Sequence, residues 1–200
     1  ARLPNLRVLE AENNELEELP GGEESWEALE VLNVANNRIA DLTSLAGASK
    51  LNTLNAEKNR LREHTKVPVS GWRKLKTLSL KDNELEQFPA GIGNLQLVEV
   101  IDVQGNRIKS LPPDLGDLKE KTLRRLAIEE NPLEDKNRIM KILNKGKRPI
   151  KEILDYVRKQ AAVGAKSSSS SKQMQEADKE GEVKENQEQQ EQEQEQEQEQ

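Results

Sequence analysis

Apolar and polar residues follow one fixed phrase through the first two-thirds of the chain. The order is apolar, two variable, apolar, one variable, apolar, two variable, Asn, one variable, apolar. It occurs at Leu6/Leu9/Ala11/Asn14/Leu16, at Leu29/Leu32/Val34/Asn37/Ile39 and at Leu51/Leu54/Ala56/Asn59/Leu61. It returns at Leu75/Leu78/Leu80/Asn83/Leu85, at Val98/Ile101/Val103/Asn106/Ile108 and at Leu123/Leu126/Ile128/Asn131/Leu133. The starts at 6, 29, 51, 75, 98 and 123 are separated by steps of 23, 22, 24, 23 and 25 residues. Alternation with a period of two in mid-phrase predicts a short strand, with apolar side chains on one face and variable ones on the other. In the second copy Leu29, Leu32 and Val34 are expected inside, with Glu30, Asn33 and Ala35 outside. So short a unit cannot bury its apolar face alone. Stacked copies can, with their strands side by side in a parallel sheet.

The recurring Asn14, Asn37, Asn59, Asn83, Asn106 and Asn131 are the most chemically specific positions. A primary amide carries two donors and an acceptor. Held at the end of a strand, it can tie successive turns whose backbone groups would otherwise be buried unpaired. These six are therefore read as a structural ladder, without a catalytic role. Leu19-Pro20, Phe88-Pro89 and Leu111-Pro112 mark the exit toward the opposite side, since proline cannot donate to a sheet. Trp26, Ala48, Trp72 and Leu95 each stand three residues before the next start and are assigned to the core. The third copy departs from the pattern. His64, the single histidine, takes the place held elsewhere by Leu19, Leu42, Phe88 and Leu111. An irregular loop is expected there, with Val67 or Val69 filling the space.

Beyond Asn131-Pro132-Leu133 the period changes. Ile139, Ile142 and Leu143 fall at helical spacing, and so do Ile150, Ile153, Leu154 and Val157. Gly146 suits a helix stop and Pro149 a first helical position. Two short amphipathic helices are expected to cover the open end of the sheet. The organisation read is therefore repeats over 1–133, a helical cap over 134–160 and a disordered tail over 161–200. The tail holds the serine run Ser167 to Ser171 and a Glu/Gln tract from Glu188 to Gln200, too poor in apolar surface to order itself. No equivalent cap precedes Leu6, and the chain begins at Ala1, which suggests that upstream repeats are missing.

A repeat of this length and content resembles the leucine-rich repeat proteins over about residues 1–160. That resemblance implies an α/β solenoid with short parallel strands on a concave face. The absence of Cys makes the chain similar to the intracellular members, which lack Cys-rich caps. A narrower resemblance lies in Asn131-Pro132-Leu133-Glu134-Asp135-Lys136 and in the stretch from Ile150 to Arg158. Together with the charged linker after them, these resemble the repeat-to-linker junction of the leucine-rich repeat-containing protein 47 family. That family carries a domain similar to part of the phenylalanyl-tRNA synthetase β-subunit after its linker. The resemblance implies an incomplete protein near the translation machinery.

Composition then narrows the function. A net charge of −6 argues against non-specific nucleic-acid binding by the whole chain. Lys141, Lys145, Lys147, Arg148 and Lys151 make the cap basic, but no interleaved aromatics offer base stacking, and they are read as a solvated face. No Cys and one His exclude a Cys–His pair or a multi-His metal site, so no metal and no cofactor are expected. No phosphate-cradling glycine loop, glycosylation sequon or membrane-length apolar run occurs. The Glu23/Glu24 pair is read as a surface turn, with no neighbouring residues in the sequence that would make it catalytic.

What remains is the outward face of the strands. One column reads Glu10, Asn33, Asn55, Ser79, Asp102, Ala127; its neighbour reads Glu12, Ala35, Glu57, Lys81, Gln104, Glu129. Both are polar and lean acidic, which suits a protein or peptide partner with basic or amide groups. The expected function is a non-catalytic interaction scaffold in the cytoplasm, with the nucleus as the alternative compartment. The alternative function is a regulatory arm of a larger enzyme or translation-associated protein of synthetase-like, kinase or phosphatase type.

Overall fold

A computed structural model describes residues 5–21, 26–62 and 67–162. His64, Glu23, Glu24 and the tail from 163 onward lie outside these residues. Two compact units divide the chain, Ala1–Arg158 and Lys159–Gln200; of the second, only 159–162 are described, as helix.

Each phrase forms one three-residue strand: β1 Val8–Glu10, β2 Val31–Asn33, β3 Thr53–Asn55, β4 Thr77–Ser79, β5 Val100–Asp102 and β6 Arg125–Ala127. They make one parallel sheet in chain order. The register never slips: Leu9, Leu32, Leu54, Leu78, Ile101 and Leu126 stand opposite one another along the sheet. From Leu32 to Leu126 these side chains are buried in one continuous core. A one-residue slip would turn that whole row outward, so burial itself fixes the register.

The strand exit needs a left-handed residue in every copy. Asn13, Asn36, Lys58, Asp82 and Glu130 have φ between 52° and 59°, and Gly105 has φ 67°. The ladder Asn follows directly. Asn59 shows the pattern: its Nδ2 donates to the carbonyls of Ala56 (3.2 Å) and of Val34 in the preceding copy (2.9 Å), while its Oδ1 accepts from Ile39 N–H at 2.9 Å. Asn37, Asn83, Asn106 and Asn131 repeat this set, each reaching back one copy. Asn14 is exposed and, among the described residues, donates within its own turn, to Ala11 and Glu12 carbonyls.

Short 3-10 turns lie on the other side of the core, at Thr43–Leu45, Val69–Gly71, Ile92–Asn94 and Pro113–Asp117. Trp26, Ala48, Trp72 and Leu95 are all buried. Trp72 Nε1 donates to Leu45 O at 3.0 Å, whereas Trp26 Nε1 is buried with no partner among the described residues. Val67 and Val69 are both buried where the third copy lacks its usual leucine.

Helix α1, Lys136–Lys145, ends at Gly146, whose N–H donates to Ile142 O at 2.9 Å. Helix α2 runs over 149–162, with proline at its first position. Ile139, Ile153, Leu154 and Val157 join the repeat core. Arg158 Nε donates to Gly116 O at 2.8 Å, fastening α2 to the last 3-10 turn. Tyr156 donates its hydroxyl proton to Asp135 beneath the Arg138 guanidinium, which sits 5.1 Å from the ring centroid.

Candidate functional site on the outward sheet face

Constant register turns each variable position into a column. Neighbouring members are set by the strand separation, about 4.8 Å, on backbone held by ladder hydrogen bonds. The backbone of such a surface loses little further freedom when it meets a partner.

The column from Glu10 to Ala127 spends much of its polarity locally. The Oδ1 of Asn33, Asn55 and Asp102 accepts from the backbone N–H two residues on, at Ala35 (3.3 Å), Glu57 (3.2 Å) and Gln104 (3.1 Å). These are Asx-type turns that shape the strand exit. Asn33 Nδ2 also donates to Glu12 Oε2 at 3.2 Å, and Asp102 Oδ2 meets Arg125 Nη2 at 3.4 Å. Ser79 is half-buried, and Ala127 is buried, too small to rise above its neighbours.

The column from Glu12 to Glu129 is freer. Glu12 is exposed, while Glu57, Lys81, Gln104 and Glu129 are half-buried. Gln104 Nε2 donates to Glu130 Oε1 at 3.0 Å. Ala35, expected outside, is buried beside the ladder Asn. Glu30, also expected on this face, lies just before β2 and takes a two-pronged contact from Arg7, with Nε to Oε1 at 2.9 Å and Nη2 to Oε2 at 3.1 Å.

A third column was missed by sequence reasoning: Val8, Val31, Thr53, Thr77, Val100 and Arg125, facing the same way as Asn33 and its equivalents. The signal was present, since residues two apart on a strand share a face. Val8, Val31 and Val100 fall at a variable position of the phrase, and the sequence pattern assigned that position to no column. Val8 is 51% exposed, and Val31, Thr53, Thr77 and Val100 are half-buried. The face is thus a β-branched stripe flanked by carboxylates and amides, ending at Arg125. Among the described residues no group of three or more His, Cys, Asp or Glu side chains could hold a metal ion, and no helix is long and apolar enough to cross a membrane. The ladder residues Asn37, Asn59, Asn83, Asn106 and Asn131 are buried behind this face and contribute nothing to its surface.

Parallel strands in strict register, a buried Asn at each strand exit and helices near the C-terminal end define a leucine-rich repeat solenoid. Leucine-rich repeats in two copies match residues 4–47, and a further leucine-rich repeat matches 74–95. Over 135 residues the chain is 33% identical to an adenylate cyclase of Podospora anserina, covering 65% of this chain and 6% of that protein. Over 120 residues it is 32% identical to leucine-rich repeat serine/threonine-protein kinase 1 of Mus musculus, covering 55% of this chain and 6% of that protein. The leucine-rich repeat ectodomain of the Arabidopsis thaliana receptor kinase GASSHO1/SCHENGEN3, solved in complex with Casparian strip integrity factor 2, superposes with a TM-score of 0.56. That match is 28% identical and covers 66% of this chain and 16% of the ectodomain. The chain therefore spans only a small part of each of these three proteins. Such solenoids typically act as protein-interaction modules.

Proposed function

We propose that the chain is a non-catalytic interaction module whose outward sheet face holds a protein or peptide segment with basic or amide groups. The observation that carries this reading is the β-branched stripe from Val8 to Val100, left uncovered on a rigid sheet and flanked by Glu10, Glu12, Glu57 and Glu129. Apolar contact supplies affinity, and the carboxylates select charge and register. The placement in the cytoplasm rests on the lack of Cys.

A second reading treats the module as the regulatory or targeting arm of a larger enzyme or translation-associated protein. It is favoured by the small share of the adenylate cyclase and kinase that the matching segment covers and by the resemblance of the C-terminal flank to leucine-rich repeat-containing protein 47. In either case the sheet face is the surface that recruits.

The test is a peptide-display library panned against the full chain, followed by affinity measurement of the enriched peptides on charge-reversed variants. Glu10→Lys, Glu57→Lys and Asp102→Lys together are expected to weaken binding about tenfold or more and to flatten its salt dependence. Unchanged affinity and unchanged salt dependence would remove the assignment to this face.

A further inference from the structure

A second surface has the opposite character. It lies where the strands begin, and is built from the residues immediately before and after the first apolar position of each repeat. The residues after it are Arg7, Glu30, Asn52, Lys76, Glu99 and Arg124; those before it include Lys50, Lys74 and Leu97. The first set is anchored by the start of the ladder. Asn52 and Thr53 N–H both donate to Glu30 O, Lys76 and Thr77 to Asn52 O, and Glu99 and Val100 to Lys76 O.

The two sets enclose a depression of about 330 Å³ lined by Glu30, Lys50, Asn52, Lys74, Lys76 and Leu97. Its charges do not cancel. Glu30 is engaged by Arg7, and Glu99, just outside, is shared between Lys76 at 4.0 Å and Arg124 at 3.4 Å. The Lys76 contact is long and its side chain is 60% exposed, so it contributes little. Lys50 and Lys74 are exposed and form no ion pair among the described residues. On the rim stands Leu97, 46% exposed. A chain with net charge −6 thus concentrates three lysines and a bare aliphatic side chain around one hollow.

From this arrangement we infer that the strand-start edge is a docking site for an acidic peptide segment carrying an aliphatic side chain. Two or three carboxylates meet Lys50, Lys74 and Lys76, Asn52 offers an amide, and the aliphatic group packs on Leu97. Glu30 disfavours a lone small anion and directs the carboxylates toward the lysine side of the hollow. The acidic sheet face repels the same peptide, so the two surfaces sort partners by sign. The basic cap at Lys145, Lys147 and Lys151 has charge of the same sign; the edge adds a hollow and an apolar contact.

The test uses the full chain and an acetylated, amidated twelve-residue probe peptide of Gly and Ser with four Glu and one central Leu, followed by fluorescence anisotropy. Binding is expected to weaken about tenfold with Lys50→Glu/Lys74→Glu and about threefold with Leu97→Ser, and to fall steeply with added salt. It should change less than about twofold with Glu57→Lys on the sheet face or Lys147→Glu/Lys151→Glu on the cap. All the substituted side chains but Glu57 are exposed, and unchanged melting curves verify the fold. Absence of binding would overturn the inference. So would loss of binding through the cap variant alone, or equal affinity for the probe lacking Leu and for inorganic phosphate. Because the site shares no residue with the sheet face, either assignment can fail while the other stands.

Discussion

Asn14 and Asn59 occupy the same place in the same phrase and do different work. Asn59 is buried, donates to carbonyls of two copies and accepts from the Ile39 N–H of the preceding one. Asn14 is exposed, and among the described residues its amide donates within its own turn. The strands around them differ likewise: Leu54 is fully buried, while Leu9 is half-buried and its neighbour Val8 is 51% exposed. One repeat encodes half of an interaction set, and the neighbouring copy supplies the other half. At the opposite end α1 and α2 take over that duty, keeping Leu126, Ile128 and Leu133 buried.

The contrast can be broken most forcefully in the core. Ile101→Ala should destabilise by about 2–5 kcal/mol, the usual cost of truncating a fully buried aliphatic side chain, and Leu9→Ala by only about 1 kcal/mol. Urea unfolding of the two variants checks this; equal losses would mean that β1 is as well covered as β5. Next in size is the ladder itself. Asn59→Ala should cost about 2–4 kcal/mol because it strands the Ile39 N–H and leaves the Val34 carbonyl with Asn37 Nδ2 alone, whereas Asn14→Ala should stay within about 0.5 kcal/mol.

The two tryptophans sharpen the same comparison at smaller scale. Trp72→Phe removes the bond to Leu45 O and should cost about 1–3 kcal/mol; Trp26→Phe removes a donor with no described partner and should cost about 1 kcal/mol less. The smallest effect expected is at the strand exits. Lys58→Gly, at φ 52°, trades left-handed strain against unfolded-state entropy and should shift stability by less than about 1 kcal/mol, toward stabilisation. A loss above that size would mean that the Lys58 side chain makes contacts the geometry does not reveal.

Much of the fold was legible because inward residues obey a strict period. Leu32 or Ile101 can occupy only one face of its strand, and Gly146 and Pro149 stand where one helix stops and the next begins. The outward face was harder to read. Alternation turns Glu57 and Lys81 outward, where both are half-buried, but the position of Val8, Val31 and Val100 was assigned to no column, since it mixes Val, Thr and Arg from copy to copy and carries no single chemical signature. Ala35 and Ala127 obeyed the alternation and were still buried, because side-chain size as well as direction decides what a partner can touch. The Asx bonds of Asn33, Asn55 and Asp102 depend on strand-exit geometry, and the hollow beside Leu97 depends on stacking of four copies. The hollow leaves no signature within a single repeat.

The claim that the outward sheet face holds the partner can be tested by position. The chain has no Cys, so one can be placed at will and labelled with a benzophenone photocrosslinker. Ser79→Cys puts the probe at the centre of the sheet face; Asn94→Cys puts it in the 3-10 turn across the core. Display-selected peptides are expected to crosslink from Ser79→Cys and not from Asn94→Cys. Crosslinking from Asn94→Cys alone, or equally from both, would contradict the account.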